Sequence, residues 1–231
     1  MREPGRGGRA AMAEPQEEVY AWGRNNDGQL GKGDTSHASS PVKLEYCSGK
    51  HVCKIGCGFY HTMAVCNDGV YAWGCNEYGQ LGKGDTSHAS SPVKLEYFSG
   101  KHVCKIGCGW AHTMAVCNDG VYAWGRNDYG ELGKGDTSDA SSPVKLEYFS
   151  GKHVCKIGCG YAHTMAVCND GVYAWGRNAY GQLGKGDTRH ASSPVKLEYF
   201  SGKHVCKIGC GYDHTIAVCN DGVYAWGGND E

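Results

Sequence analysis

The pentapeptide Val-Tyr-Ala-Trp-Gly begins at Val19 and returns at Val70, Val121, Val172 and Val223, each time after 51 residues. A constant interval near 50 restricts the chain to a solenoid, a propeller or an array of stacked units, because one unit of that size cannot cover its own apolar faces. Four whole repeats occupy 19–69, 70–120, 121–171 and 172–222, and 223–231 opens a fifth. Each unit reads as four strands. Val19–Gly23 is β-branched and aromatic. Val42–Tyr46 alternates apolar and charged residues, as a half-exposed strand does. His51–Gly56 is the third, and His61–Cys66, apolar on both faces, is an interior fourth. Asn67-Asp68-Gly69 then joins two apolar runs, the strongest short signal of a β-hairpin, with Gly supplying a positive φ. Asn25–Pro41 is a long polar connection, and no stretch carries a helical period. Four strands per unit with no intervening helix is the pattern of a propeller blade.

Composition agrees. Glycine supplies 37 of 231 residues, against 6 prolines, which suits short strands and tight turns and excludes collagen or a proline-rich linker. A formal net charge of −1 gives no overall field toward nucleic acid or an anionic membrane. No apolar run approaches the roughly 18–20 residues of a membrane helix. The start of the chain lacks the apolar stretch of a secretory signal, so the expected location is cytoplasmic or nuclear. There the 14 cysteines are read as free thiols acting as small interior residues. Residues 1–18 are expected to form a disordered tail, and 19–231 the repeat domain.

The unit resembles the repeat of the regulator of chromosome condensation family. The matching residues are Val19-Tyr-Ala-Trp-Gly-Arg-Asn25, Gly28-Gln-Leu-Gly-Lys-Gly33, Pro41, Cys57-Gly-Phe-Tyr-His-Thr62 and Asn67-Asp-Gly69, and the set recurs four times. The resemblance implies an all-β propeller, usually of seven blades. It further implies roles that include nucleotide exchange on a Ran-like GTPase, GTPase regulation in cilia and binding in ubiquitin ligases. Four copies with the curvature of a seven-blade ring predict an open arc or incomplete ring rather than a closed four-blade ring. Seventeen candidate strands leave the chain's end sheets incomplete and open to self-association through unpaired edges. Every unit has the same length, so the projecting hairpin that the exchange factor inserts into one blade is missing.

Ten of the 51 columns vary between units, beginning at Arg24, Asn26, Asp27, Gln29, Ser36, His37, Cys47, Phe59, Tyr60 and Met63. Variation confined to loops would dress one rim as a recognition surface. Candidate partner-binding residues are therefore Phe59, Tyr60, Trp110, Tyr161, Tyr212 and Asp213, with Arg24, Arg126 and Arg177 from the loop after Trp-Gly. Their blander reading is wedge packing between blades, or drift after duplication. The resemblance also places His61, His112, His163 and His214 on the face that meets the GTPase. Four equivalent copies speak instead for a histidine bonded to backbone in its own blade.

Other chemistries fit poorly. Cys53-x3-Cys57-x3-His61 holds good zinc ligands but lacks the usual knuckle spacing, so no metal is expected. Gly28–Gly33 lacks the phosphate-loop spacing. No nucleophile elbow accompanies Ser39 or Ser40, and no cofactor motif appears. Cys75 replaces Arg in a variable loop and is the candidate for an exposed reactive thiol. The sequence thus predicts a non-enzymatic scaffold for a protein partner, such as a small GTPase or a ubiquitin-pathway protein. An exchange factor or GTPase regulator is the alternative. Units this alike would also suit a truncated or engineered repeat product without specialised activity.

Overall fold

The computed structural model describes residues 18–229, and these form seventeen strands. Strands β1 (Tyr20–Gly23) and β2 (Ala38–Lys43) make a two-stranded sheet. Four antiparallel strands follow: β3 (Val52–Cys57), β4 (His61–Cys66), β5 (Gly69–Gly74) and β6 (Ala89–Lys94). The same sheet recurs as β7 (Val103–Cys108), β8 (His112–Cys117), β9 (Gly120–Gly125) and β10 (Ala140–Lys145). It recurs again as β11 (Val154–Cys159), β12 (His163–Cys168), β13 (Gly171–Gly176) and β14 (Ala191–Lys196). Strands β15 (Val205–Cys210), β16 (His214–Cys219) and β17 (Gly222–Gly227) close the series as a three-stranded sheet. Each whole sheet therefore joins the second half of one sequence unit to the first half of the next. The array is open, with an outer strand pair at one end and three inner strands at the other. Among the described residues, no helix is long and apolar enough to cross a membrane.

The expected tail falls on residues 1–17, outside the described residues. Glu18, counted with it, accepts hydrogen bonds from Tyr20 Oη and Lys43 Nζ, both at 2.6 Å.

The second strand differs from its expected span. Strand β2 starts at Ala38 and stops at Lys43, and Glu45–Cys47 forms a single 3-10 turn, as do Glu96–Phe98, Glu147–Phe149 and Glu198–Phe200. The reason is packing. Leu95 and Phe98 are both 3% exposed, whereas Tyr97 between them is 44% exposed. A straight strand would send Leu95 and Tyr97 to one side. The turn plants Leu95 and Phe98 in the core instead. Pro41 and its equivalents lie on the outermost strand, where a missing N–H costs no ladder bond.

The predicted interior strand is buried along its whole length in β4, β8 and β12. Its hairpin turns on Asn67-Asp68, with Cys66 paired to Gly69. Gly69, at φ +149°, opens β5, and the stem of Lys94 fills the space its side chain would need. Between sheets, Trp73, Trp124 and Trp175 are at most 2% exposed. Burying an indole of that size stabilises by about 4–6 kcal/mol.

Polar contacts also run from sheet to sheet. The Gln29 carbonyl accepts from Thr62 Oγ1 and Trp73 Nε1, each at 2.9 Å. Gly31, at φ +73°, lies so close to that indole that an added Cβ would sit 2.6 Å from Trp73 Nε1. This contact, not phosphate, is what the glycine-rich loop serves. Asn76, fully buried, donates to the Asp85 and Ser87 carbonyls and accepts from Leu81 N–H, which fastens the long loop.

Candidate functional site

The sheets present two unlike rims. One carries the loops after Trp-Gly and the turns before His-Thr. The other carries the Asn-Asp-Gly hairpins and the 3-10 turns. Eight of the ten varying columns, those beginning at 24, 26, 27, 29, 36, 37, 59 and 60, lie on the first rim. The remaining two, beginning at Cys47 and Met63, start from buried residues. The second rim repeats one cluster without change. In it Asp119 accepts from Tyr122 Oη at 2.9 Å and pairs with Lys101, as Asp68 does with Tyr71 and Lys50.

On the variable rim the structure gathers aromatic rings and guanidinium groups. Trp110 and Tyr161 have ring centroids 4.9 Å apart, and Tyr161 stacks on Tyr212 at 4.1 Å. The Arg126 guanidinium lies 4.8 Å from the Trp110 ring and 5.2 Å from Tyr78, within cation–π range. Asp128 receives its Nε at 2.7 Å and Nη2 at 2.5 Å. Arg177 sits 5.2 Å from Tyr180 and 5.6 Å from Tyr129 and pairs with Asp213, which also accepts from Gln182 Nε2 at 2.7 Å. Arg24 lies over Tyr60 at 5.1 Å, and Tyr60 meets Phe59 edge-on at 4.7 Å. Phe59 and Tyr212 are 58% and 56% exposed. Trp110, Tyr161 and Asp213 are half-buried. Phe59, Trp110, Tyr161 and Tyr212 surround a shallow apolar pit of about 340 Å³ floored by the Cys-Gly pairs that precede them.

Sequence reasoning did not single out Tyr78, Tyr129 and Tyr180 as site residues, although they hold the guanidiniums. The available signal was their column, where Asp27 gives way to Tyr in the three later units. Glu131 was also passed over. It replaces the Gln of the other units, is 1% exposed, and burial pushes its carboxyl up to about 7.

The histidines are placed differently from the resemblance. His61, His112 and His163 are at most 1% exposed beneath the rim, so they cannot touch a partner, and only His214 is exposed. Nor do they bond backbone in their own sheets. His112 Nε2 meets Thr164 Oγ1 of the next sheet at 3.0 Å, and that hydroxyl donates to the Glu131 carbonyl at 2.9 Å. The histidine therefore donates from Nε2, which leaves Nδ1 buried without a partner in all three. Gly109 makes room, since a Cβ there would stand 2.5 Å from His112 Nδ1. Burial lowers His61, His112 and His163 to about 4, 3 and 4, so the rings stay neutral.

Cys75 is likewise corrected: it is 5% exposed, and burial pushes its thiol up. Its backbone N–H donates to Tyr60 O at 2.8 Å, which draws this position inward. Arg in the other units reaches back out to the surface, and the short cysteine does not. Asp27, Cys75 and His88 bring one donor atom each within 4.8 Å of the others. They make a poor metal centre. His88 Nδ1 accepts from Asn76 N–H at 2.9 Å, which places the ring proton on Nε2 and leaves no free lone pair. The Cys53–Cys57–His61 set fails too. Cys53 and Cys57 share a strand face but lie about 13 Å apart along it, and His61 is bonded to Thr113 at 2.9 Å.

A repeated four-stranded blade with inter-blade His–Thr bonds defines an open β-propeller array. The profile of the RCC1-like domain matches residues 5–231, and the chain belongs to that family. It is 40% identical over 214 residues to the ultraviolet-B receptor UVR8 of Arabidopsis thaliana, covering 91% of this chain and 49% of that one. It is 36% identical over 232 residues to the E3 ubiquitin-protein ligase HERC2 of Homo sapiens, covering 97% of this chain and 5% of the ligase. Among solved structures, human WBSCR16 superposes with a TM-score of 0.78 at 27% identity, covering 90% of this chain and 56% of that one. Prp20p of Saccharomyces cerevisiae superposes with a TM-score of 0.78 at 25% identity, covering 94% and 55%. The chain thus spans about half the length of UVR8 and of these two structures, and a small part of the ligase.

Proposed function

We propose that this chain is a non-enzymatic protein-binding module whose variable rim carries the contact surface. One observation carries the reading. Eight of ten varying columns lie on one rim, while on the opposite rim only the buried column beginning at Cys47 changes and every exposed position is the same in each unit. Drift restrained only by packing would mark both rims. The residues gathered there are the types that anchor protein interfaces, Trp, Tyr and Arg, and Asp128 and Asp213 hold the guanidiniums in place before any partner arrives. Phe59, Trp110, Tyr161 and Tyr212, with Arg126 and Arg177, form the contact set. Tyr60, Arg24 and Asp213 flank it.

A narrower form of this reading makes the partner a Ran-like GTPase. It is favoured by the likeness to Prp20p, whose structure was described with its binding to Gsp1p and histones. The match to HERC2 supports a ubiquitin-pathway partner in the same way. The equal length of all four units argues against nucleotide exchange as the outcome of binding. A photo-crosslinking residue at Tyr212 is expected to trap a protein partner, and the same residue at Tyr148 on the other rim is not. Equal capture from both rims would remove the reading. Nucleotide release from a Ran-like GTPase no faster than in buffer would remove the exchange form alone.

A further inference from the structure

The inner strands β3, β7, β11 and β15 all read Val-Cys-Lys-Ile-Gly-Cys. Their register in the sheets is the same, so Lys54, Lys105, Lys156 and Lys207 stand at one level of the array. These four line a single concave groove of about 500 Å³ with isoleucines and cysteines of the same strands, and no carboxylate lines it. Two other lysine columns are neutralised locally. Lys83 and Lys134 pair with Asp85 and Asp136, and Lys101 and Lys152 with Asp119 and Asp170. Among the described residues, the side chains of the groove lysines make no hydrogen bond and no ion pair.

A chain of net charge −1 therefore sets four lysines without a side-chain ion pair along one concave wall, three of them also bordering the clefts between sheets that hold Asp68, Asp119 and Asp170. Walls of low polarity focus such a field, and added salt screens it. The arrangement favours a ligand that brings several negative charges to one level. An extended acidic peptide suits it poorly, because its same-side carboxylates are spaced about 6.6 Å along the strand direction and only one would reach the lysine level. Ammonium groups bind phosphate as adaptable point charges. We infer that the axial groove is a binding site for a compact small molecule carrying several phosphates. This site is separate from the variable rim and does not depend on its proposed role.

The test is isothermal titration of the full chain with inositol hexakisphosphate and, separately, tripolyphosphate, at low and physiological salt. Two double variants carry the same charge change. Lys105→Glu with Lys156→Glu alters the groove, and Lys94→Glu with Lys145→Glu alters outer strands. Parent and outer variant are expected to bind at least one of the two probes with one-to-one stoichiometry, more weakly as salt rises. The groove variant is expected to bind at least tenfold more weakly. Lys105→Gln with Lys156→Gln, which keeps much of the side-chain stems, is expected to lose at least fivefold while melting at the parent temperature. A ring-shaped ligand is indicated if the hexakisphosphate binds tighter, and a linear one if tripolyphosphate does. No saturable binding of either probe by the parent, or equal loss in groove and outer variants, would overturn the inference.

Discussion

Glu131→Gln should stabilise this protein above neutral pH. The carboxyl is 1% exposed, accepts from Tyr129 N–H at 2.8 Å, and is pushed by burial from 4.5 to about 7. A group with a raised folded-state value stabilises fully below its unfolded value, and that contribution fades as pH rises through the folded value. Here the window runs from about 4.5 to about 7. The difference corresponds to about 3 kcal/mol at roughly 1.4 kcal/mol per pH unit. Gln keeps the acceptor for Tyr129 N–H, as Gln80 does for Tyr78 at 3.0 Å, and carries no charge to desolvate. Chemical denaturation of parent and variant at pH 5, 6, 7 and 8, followed by tryptophan fluorescence, measures the effect. Their stabilities should converge near pH 5, and the variant should lead by about 2–3 kcal/mol at pH 8. His61, His112 and His163 act in the opposite direction, losing stability as pH falls from about 6.5 toward 4, but they are common to both proteins and cancel. A variant that tracks the parent at every pH, or is weaker at pH 8, would refute the argument that Glu131 is held neutral by burial.

Three further outcomes are expected. Gly82→Ala should cost at least about 2 kcal/mol more in denaturant midpoint analysis than Gly100→Ala. Both glycines lie near φ +75°, but only at Gly82 would the new Cβ meet an indole, 2.6 Å from Trp124 Nε1. In the native protein a thiol reagent should label Cys53, Cys57 and Cys206 within minutes and Cys75 only on unfolding, read by mass spectrometry of peptides; early labelling of Cys75 would contradict its burial. The 231-residue chain should show concentration-dependent mass by light scattering, because Trp22 and Val223 on the end sheets are 60% and 69% exposed. Val223→Lys should lower that mass, and a mass independent of concentration would contradict it.

The period, the strand count and the interior strand were legible because each is written locally, in the return of Val-Tyr-Ala-Trp-Gly or the unbroken apolar run His61–Cys66. The hairpin that carries one unit into the next at Asn67-Asp68-Gly69 was legible too, but the limits of each sheet were not. A repeat can be cut at any point of its period, and only the pairing of β3 through β6 fixes where a sheet begins. His112 was misread for a related reason. Its partner Thr164 lies 52 residues on, in another sheet, and no local pattern announces it. At the site, the aromatic and arginine residues could be found from their variable columns. The convergence of Lys54, Lys105, Lys156 and Lys207 could not, since the strand alternation that places each one says nothing about four strands sharing a groove. Cys75 looked exposed because its column is Arg elsewhere, yet exposure there belongs to the length of the side chain and not to the backbone.

The claim that the variable rim is a recognition surface is tested most directly by comparing two double variants for capture of a crosslinked partner. Trp110→Ala with Tyr212→Ala alters that rim, and Tyr97→Ala with Tyr148→Ala alters the other. The account predicts that the first pair loses the partner at least tenfold while melting within a few degrees of the parent, and that the second pair retains it. Retention by the first pair, or loss of folding in step with loss of binding, would show these rings to be packing and contradict the account.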